Sequence, residues 1–153
     1  MRKVELKRRS VDVAAPPELV FEVVASAGKT VGKTERGNLV EFETTWRERV
    51  IKTIEEVELD PPRRIGYRWV EGPLDDVVEE IRFERAGSDE TAMTYSGRLG
   101  APPGLIGWLR TLLFVRPVFN RLVREHLFEG KRIAETRAKR SRVHPRAASP
   151  EET

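Results

Sequence analysis

The stretch from Val40 to Leu99 constrains this chain more than any other. Apolar and polar residues alternate through it in five bouts separated by turn residues. Val40, Phe42, Thr44 and Trp46 alternate with Glu41, Glu43, Thr45 and Arg47, the two-residue period of a half-buried strand. Ile51, Thr53, Glu55, Val57 and Leu59 stay in phase over the next, about residues 48–59. Asp60-Pro61-Pro62-Arg63 then turns the chain, since adjacent prolines cannot sit in a central strand. Ile65, Tyr67 and Trp69 share a face of the third, and Val77, Glu79, Ile81 and Phe83 a face of the fourth, with Gly72-Pro73 between. Ala86-Gly87-Ser88-Asp89 makes a hairpin before Met93, Tyr95, Gly97 and Leu99. Five consecutive strands on short connections predict an antiparallel meander.

Such a sheet presents one apolar face that another layer must cover. The flanking sequence supplies the layers. Residues 3–13 read as one strand, with Val11 and Val13 on a face. Ala15-Pro16-Pro17-Glu18 opens a short helix, where a proline costs no hydrogen bond, and Val20, Phe21 and Val24 make its apolar side. Residues 26–37 read as loop and a short strand. Beyond Ala101-Pro102-Pro103-Gly104 comes the segment 105–115, apolar nearly all round with Arg110 its single charge. Pro117 is expected to break or restart the helix there. A long amphipathic helix follows over 118–140, with Phe119, Val123, His126, Leu127, Ile133 and Ala134 toward its apolar side. About 23 residues span roughly 35 Å, enough to cross the whole sheet. The expectation is an α+β fold: a curved antiparallel sheet of six to seven strands around a long C-terminal helix. A curved sheet and one straight helix cannot touch everywhere, and the space left is a natural site for a small molecule.

At 153 residues the chain reads as one domain over 1–140, with 141–153 expected to be a disordered polar tail. It has no cysteine and two histidines, which excludes disulfides, thiolate chemistry and a Cys nucleophile and leaves no basis for a metal site. No cofactor is expected. The net charge of +3 is uneven: residues 1–9 and 131–146 are strongly basic while the body between is net negative. Basic ends without a clustered face do not make a nucleic-acid groove, so no nucleic-acid partner is expected. The first residues lack the apolar core of an export signal, and with no cysteine this gives a cytoplasmic expectation.

The in-phase faces name the candidates. Thr44, Trp46, Thr53, Tyr67, Trp69, Met93 and Tyr95 line the sheet side of the proposed pocket, and Phe119, Val123 and His126 the helix side. Glu55 and Glu79 stand out as carboxylates on an otherwise apolar face. Buried, each would have a raised pKa and suit general acid or base work. The bland alternative is that a strand end, a bulge or an arginine relieves them. His126 and Tyr95 are the other acid–base candidates, against a histidine merely satisfied in the core or at the helix edge. The aromatic rings serve core packing and pocket wall alike. Gly130 marks either a bend that makes room for a ligand or a close approach to the sheet. The segment 105–115 is open to four readings: ordinary burial, a lid, a dimer contact, or an element dipping into a membrane surface beside Arg116, Arg121 and Arg124.

Four segments, in order, resemble START-like proteins, the SRPBCC or polyketide cyclase/dehydrase-like superfamily. They are Ser10-Val11-Asp12-Val13-Ala14-Ala15-Pro16-Pro17-Glu18-Leu19-Val20-Phe21, Leu59 to Tyr67, Thr91 to Gly97, and Pro117 to Glu135. The resemblance spans about residues 4–138 and implies a helix-grip fold, an incomplete barrel round the C-terminal helix with a hydrophobic cavity. It does not imply a reaction. The first reading is therefore binding or transport of a hydrophobic small molecule of the lipid, polyketide or isoprenoid class. A cyclase or dehydratase using pocket acid–base residues is the second. An interaction protein docking through 105–115 and the basic tail is the third.

Overall fold

A computed structural model describes residues 2–143. The elements run β1 (Arg2–Glu5), β2 (Arg9–Val13), α1 (Pro17–Ala25), β3 (Lys29–Lys33), β4 (Asn38–Trp46), β5 (Arg49–Asp60), β6 (Arg64–Glu71), β7 (Val78–Gly87) and β8 (Glu90–Ala101). Helix α2 (Leu105–Arg110), a π turn (Thr111–Val115) and α3 (Arg116–Val143) complete the order. All strands join one antiparallel sheet in the order β1-β8-β7-β6-β5-β4-β3, with β2 also on β8. This is the helix-grip α+β architecture, with eight strands rather than six or seven.

The extra strand comes from the N-terminus. Residues 3–13 do not form one strand, because the amide of Lys7 leaves the ladder for Asn120 Oδ1 on α3, 3.1 Å away. Glu5 pairs with Arg98 but Arg9 with Tyr95, so the chain takes one extra residue at the crossing. The long β8 thus carries β1 on one half and β2 on the other.

The meander holds the register that alternation predicts. The β4–β5 hairpin turns on Arg47 and Glu48 alone, both at positive φ (47° and 63°), between the pair Trp46 and Arg49. That is the primed two-residue turn whose twist suits a hairpin, built here without glycine. Leu59, in phase with the core, lies at the strand end and is exposed.

The core gathers Val13, Val20, Ile65, Val77, Met93 and Leu99, all at or near zero exposure. Small residues let α3 close on α1 and β2: Ala134 and Ala138 are buried, and a Cβ at Gly130 would make ordinary contact with Val24 of α1 at 3.5 Å. The nearest neighbour of Gly130 is thus α1 and not the sheet, at a distance that would admit a methyl group. Glu135 Oε2 accepts from the amide of Ala14 at 3.0 Å, and Thr91 Oγ1 donates to the carbonyl of Ala15 at 2.7 Å, fastening the β2–α1 corner.

Pro117 does not break the helix. Its missing N–H removes one α-type bond, and the π turn just before it absorbs the defect, so α2, the π turn and α3 run on as one rod. The rod continues to Val143, past the expected end at 140; residues 144–153, with His144 and most of the expected tail, lie outside the described residues. The segment 105–115 is not buried either. Its inner side (Trp108, Thr111, Leu112, Val115) turns to the protein, but Leu105, Ile106, Leu109, Leu113 and Phe114 face solvent.

Candidate functional site

Register assembles the site from strands distant in sequence. On β4, β5 and β6, Val40 pairs with Glu55 and Glu55 with Trp69, forming one row across the inner face. The neighbouring row runs Val57, Tyr67, Glu79, Gly97 across β5, β6, β7 and β8. Residues directly opposite in a ladder share a face, so both carboxyl groups point to the side that α3 covers. A bulge between Ile54 and Glu55 adjusts the aim of Glu55.

Each carboxyl is held by neutral donors. Tyr95 Oη donates to Glu79 Oε2 at 2.6 Å, and Trp69 Nε1 donates to Glu79 Oε1 at 3.0 Å. Thr53 Oγ1 donates to Glu55 Oε2 at 2.8 Å. Among the described residues no cation pairs with either group, whereas Glu56, Glu80 and Glu135 on other faces each find Arg or Lys. The consequence is electrostatic. Burial first, then the charge of Glu79, pushes Glu55 up to about 8, against its hydrogen bonds from Thr53 and Trp69. Burial also raises Glu79 above the usual carboxylate range, opposed by Tyr95 and Trp69. Tyr67 and Tyr95 are raised in turn, chiefly by burial and then by the Glu79 charge, and stay protonated at any ordinary pH. Glu79 accepts a hydrogen bond on each oxygen, and Glu55, 7% exposed, on Oε2.

The surroundings are aromatic. Phe42 meets Tyr67 edge-on with centroids 6.1 Å apart, and Trp69 lies 5.7 Å from Phe119 of α3. Phe42, Tyr67, Trp69, Glu79 and Phe119 face inward yet keep intermediate exposure, so α3 does not seal this part of the sheet. Its backbone closes instead on α1 and β2. Beyond Trp69 a depression of about 610 Å³ opens at the β6–β7 turn, walled by Gly72, Leu74 and Asp75.

The predicted residues divide accordingly. Glu55, Glu79, Thr53, Tyr67, Trp69, Tyr95 and Phe119 come together, and Val123 is buried on the inner side of α3. Thr44 lies two residues beyond Phe42 on the same strand, half-buried. Trp46 stands at the hairpin end under the Arg47 guanidinium, 4.9 Å from its ring. Met93 is fully buried core, so it offers no surface to a ligand. His126 is a correction: its residue is exposed on α3, and its charged neighbours are Glu125 and Glu129 of the same helix. Enough protein surrounds the ring to depress its pKa, but nothing joins it to the carboxyl pair.

Two participants lie beyond the reach of the sequence reading. Gly97 is in phase with the site, and a Cβ there would fall 2.6 Å from Tyr95 Oη, so its bareness is what lets the hydroxyl reach Glu79. Arg9, opposite Tyr95 across the β2–β8 ladder, has a buried Nε with no partner among the described residues. Alternation puts Gly97 in phase, but only the register shows that it faces Glu79 and that Arg9 faces Tyr95.

The comparisons agree with the fold. Residues 6–135 match the family model described as polyketide cyclase / dehydrase and lipid transport, and the chain belongs to that family. The fold is similar to that of the ZhuI aromatase/cyclase from Streptomyces sp. R1128, with a TM-score of 0.71 at 17% identity over 96% of this chain and 100% of that one. A START superfamily protein from Mycobacterium smegmatis matches at TM-score 0.62 and 15% identity, covering 90% and 99% of the two chains. Norcoclaurine synthase from Thalictrum flavum matches at 0.61 and 12%, covering 90% and 98%. At these identities the structural likeness bears on the fold alone. No curated protein sequence matches.

Proposed function

We propose that this member of the polyketide cyclase / dehydrase and lipid transport family binds a largely apolar small molecule between the sheet and α3. A hydroxyl or carbonyl of that molecule meets the Glu55–Glu79 cluster. The observation that carries the reading is the pair of carboxyl groups set among Val40, Phe42, Tyr67, Trp69 and Phe119, with no cation paired to either among the described residues. Burying such groups costs stability, and apolar side chains of the same volume would fill the space better. A group kept at that cost is a group with a use. The aromatic rings supply apolar area, and Tyr95, Trp69 and the protonated Glu55 supply donors.

The test is a thermal-shift series with native mass spectrometry. The compounds are long-chain alcohols, ketones and hydrocarbons of matched size. At a hundredfold excess over Kd, binding adds about 2.7 kcal/mol, or roughly 5–10 °C in Tm. The alcohols and ketones are expected to give that shift and the hydrocarbons much less. Equal shifts from all three would remove the carboxyl cluster from recognition, and none from any would remove the binding reading.

The same pair favours a second reading, acid–base catalysis of an aldol-type cyclisation with loss of water. Such a reaction needs a base to take a proton from carbon and an acid to protonate the oxygen that leaves. In this reading Glu79, which accepts from two neutral donors, acts as the base, and Glu55, pushed up to about 8 chiefly by burial, acts as the acid. Glu79→Gln would then lose turnover of a poly-β-carbonyl substrate while keeping its affinity. Unchanged turnover would leave Glu79 with binding alone.

A further inference from the structure

The rod formed by α2 and the π turn carries a surplus apolar face. Leu105, Ile106, Leu109, Leu113 and Phe114 are 62%, 73%, 38%, 60% and 69% exposed. The exposed positions repeat every four residues, 105/106, 109/110 and 113/114. In a regular α-helix a four-residue repeat drifts by about 40° per step. The wider winding of the π turn holds it to one side, so the five side chains form one stripe. The opposite side, Trp108, Leu112 and Val115, already packs on the core, so the stripe is not needed for folding.

Charge selects the occupant. From Thr91 to Arg124 the chain holds no Asp or Glu and five arginines, Arg98, Arg110, Arg116, Arg121 and Arg124. The β1–β8 ladder sets Arg2 and Lys3 beside Ala101 and Gly100, at the foot of the same rod. The acids that approach from other elements are Asp75 and Asp76 at the β6–β7 turn, where Gly100 N donates to the Asp75 carbonyl at 3.0 Å, and Glu5 opposite Arg98. Among the described residues none of these acids pairs with Arg110, Arg116 or Arg121; Glu125 of α3 pairs with Arg121 at 3.4 Å, a solvent-exposed contact of the kind that contributes little and that a phosphate can replace. An apolar stripe rimmed by arginine is the make-up of a helix lying in a lipid interface, with side chains below the headgroups and guanidinium groups among the phosphates. Residues 105–116 hold no Asp or Glu, so the same stripe on a second copy of this chain would offer Arg110 no acid to pair with. Among the described residues no helix is long and apolar enough to cross a bilayer, so the contact lies in the plane.

We propose that Leu105, Ile106, Leu109, Leu113 and Phe114, flanked by Arg110, Arg116 and Arg121, dock this protein onto anionic lipid surfaces. The inference stands apart from the ligand reading and needs no occupant in the pocket. The experiment is co-sedimentation of the full chain with vesicles of phosphatidylcholine alone and with about one-third phosphatidylglycerol. Binding to the anionic vesicles is expected, about tenfold or more weaker on neutral ones or in half-molar salt. Ile106→Asp and Phe114→Asp, both at solvent-facing positions, are expected to lose about tenfold in binding at unchanged Tm. Arg110→Glu with Arg121→Glu is expected to lose the preference for phosphatidylglycerol. Sedimentation velocity without lipid distinguishes the competing occupant. A dimer that Phe114→Asp dissolves would overturn the proposal, as would absence of binding to anionic vesicles, or stripe variants that bind like the parent.

Discussion

Tyr95 Oη reaches Glu79 Oε2 at 2.6 Å through the space above Gly97, the residue paired with Glu79 across the β7–β8 ladder. A side chain at 97 and the hydroxyl of 95 exclude each other, since a Cβ there would lie 2.6 Å from Tyr95 Oη and 3.1 Å from Leu6 Cδ1. Gly97→Ala is therefore expected to destabilise the fold by about 1–3 kcal/mol, as overpacking does. In a Tyr95→Phe background the same substitution should cost clearly less, because the obstructing oxygen is gone. Urea unfolding of the four proteins measures this as a coupling energy. Additive costs would mean that residue 97 acts on something other than the hydroxyl.

The carboxyl pair sets the pH dependence of stability. Glu55 titrates near 4.5 when exposed and at about 8 in the fold. Between those values the folded state binds more protons than the unfolded one, so stability falls as pH rises. Glu79, raised as well, acts with the same sign. The lowered carboxyls, Glu56, Glu80 and Glu135, act oppositely but only in acid, below 4.5. His126, lowered chiefly by burial, opposes this below 6.5, so the urea midpoint is expected to drop from pH 7 to pH 9. Glu55→Gln, which keeps the shape of the neutral acid, should flatten the drop and gain on the order of a few kcal/mol at pH 9. A parent and variant with parallel pH profiles would show Glu55 ionising freely in the fold.

The β4–β5 turn holds two non-glycine residues, Arg47 and Glu48, in the left-handed region. Each costs about 1–2 kcal/mol there, offset in part by the Arg47 guanidinium over the Trp46 ring. Asparagine followed by glycine is the favoured pair for this turn, so Arg47→Asn combined with Glu48→Gly is expected to raise stability by about 1 kcal/mol. Thermal unfolding checks it. A fall in Tm larger than the loss of the cation–π contact would show that the turn is not strained.

How much of this is legible in the sequence follows from what each signal encodes. Alternation identifies faces, and it places Glu55, Tyr67, Trp69, Glu79 and Tyr95 on one face without any coordinates. It does not encode register, which depends on pairing between strands far apart in sequence. Trp69 between the two carboxyls, and Gly97 opposite Glu79, are therefore out of its reach. Helical periodicity fails at the π turn, where the repeat widens to four. That is why the segment 105–115 reads as apolar all round, although it splits into an inner and an outer side. His126 fails for a related reason: on the helix it stands one position before Leu127, which is buried, and one position is enough to carry a side chain out of the interface. The split of the first strand turns on one amide finding Asn120, more than a hundred residues away, a contact no local pattern records.

Trp69 offers the most direct readout of the site. Its Nε1 donates to Glu79 while its ring lies against Phe119, so a molecule bound as proposed at the carboxyl pair is expected to contact it. The chain has three tryptophans, and the others stand elsewhere: Trp46 at a hairpin end beside Arg47, Trp108 on the inner side of α2. An apolar alcohol or ketone that binds as proposed is expected to change the tryptophan emission of the parent, and equally that of Trp46→Phe and Trp108→Phe. Trp69→Phe should abolish the change. It should also weaken binding several-fold, because Glu79 loses one of its two donors and its carboxylate becomes harder to hold. The ring-for-ring substitution keeps most of the packing on Phe119, so the fold is expected to survive for the comparison. A fluorescence response that persists in Trp69→Phe and vanishes in Trp108→Phe would move the binding site from the carboxyl pair to the underside of α2.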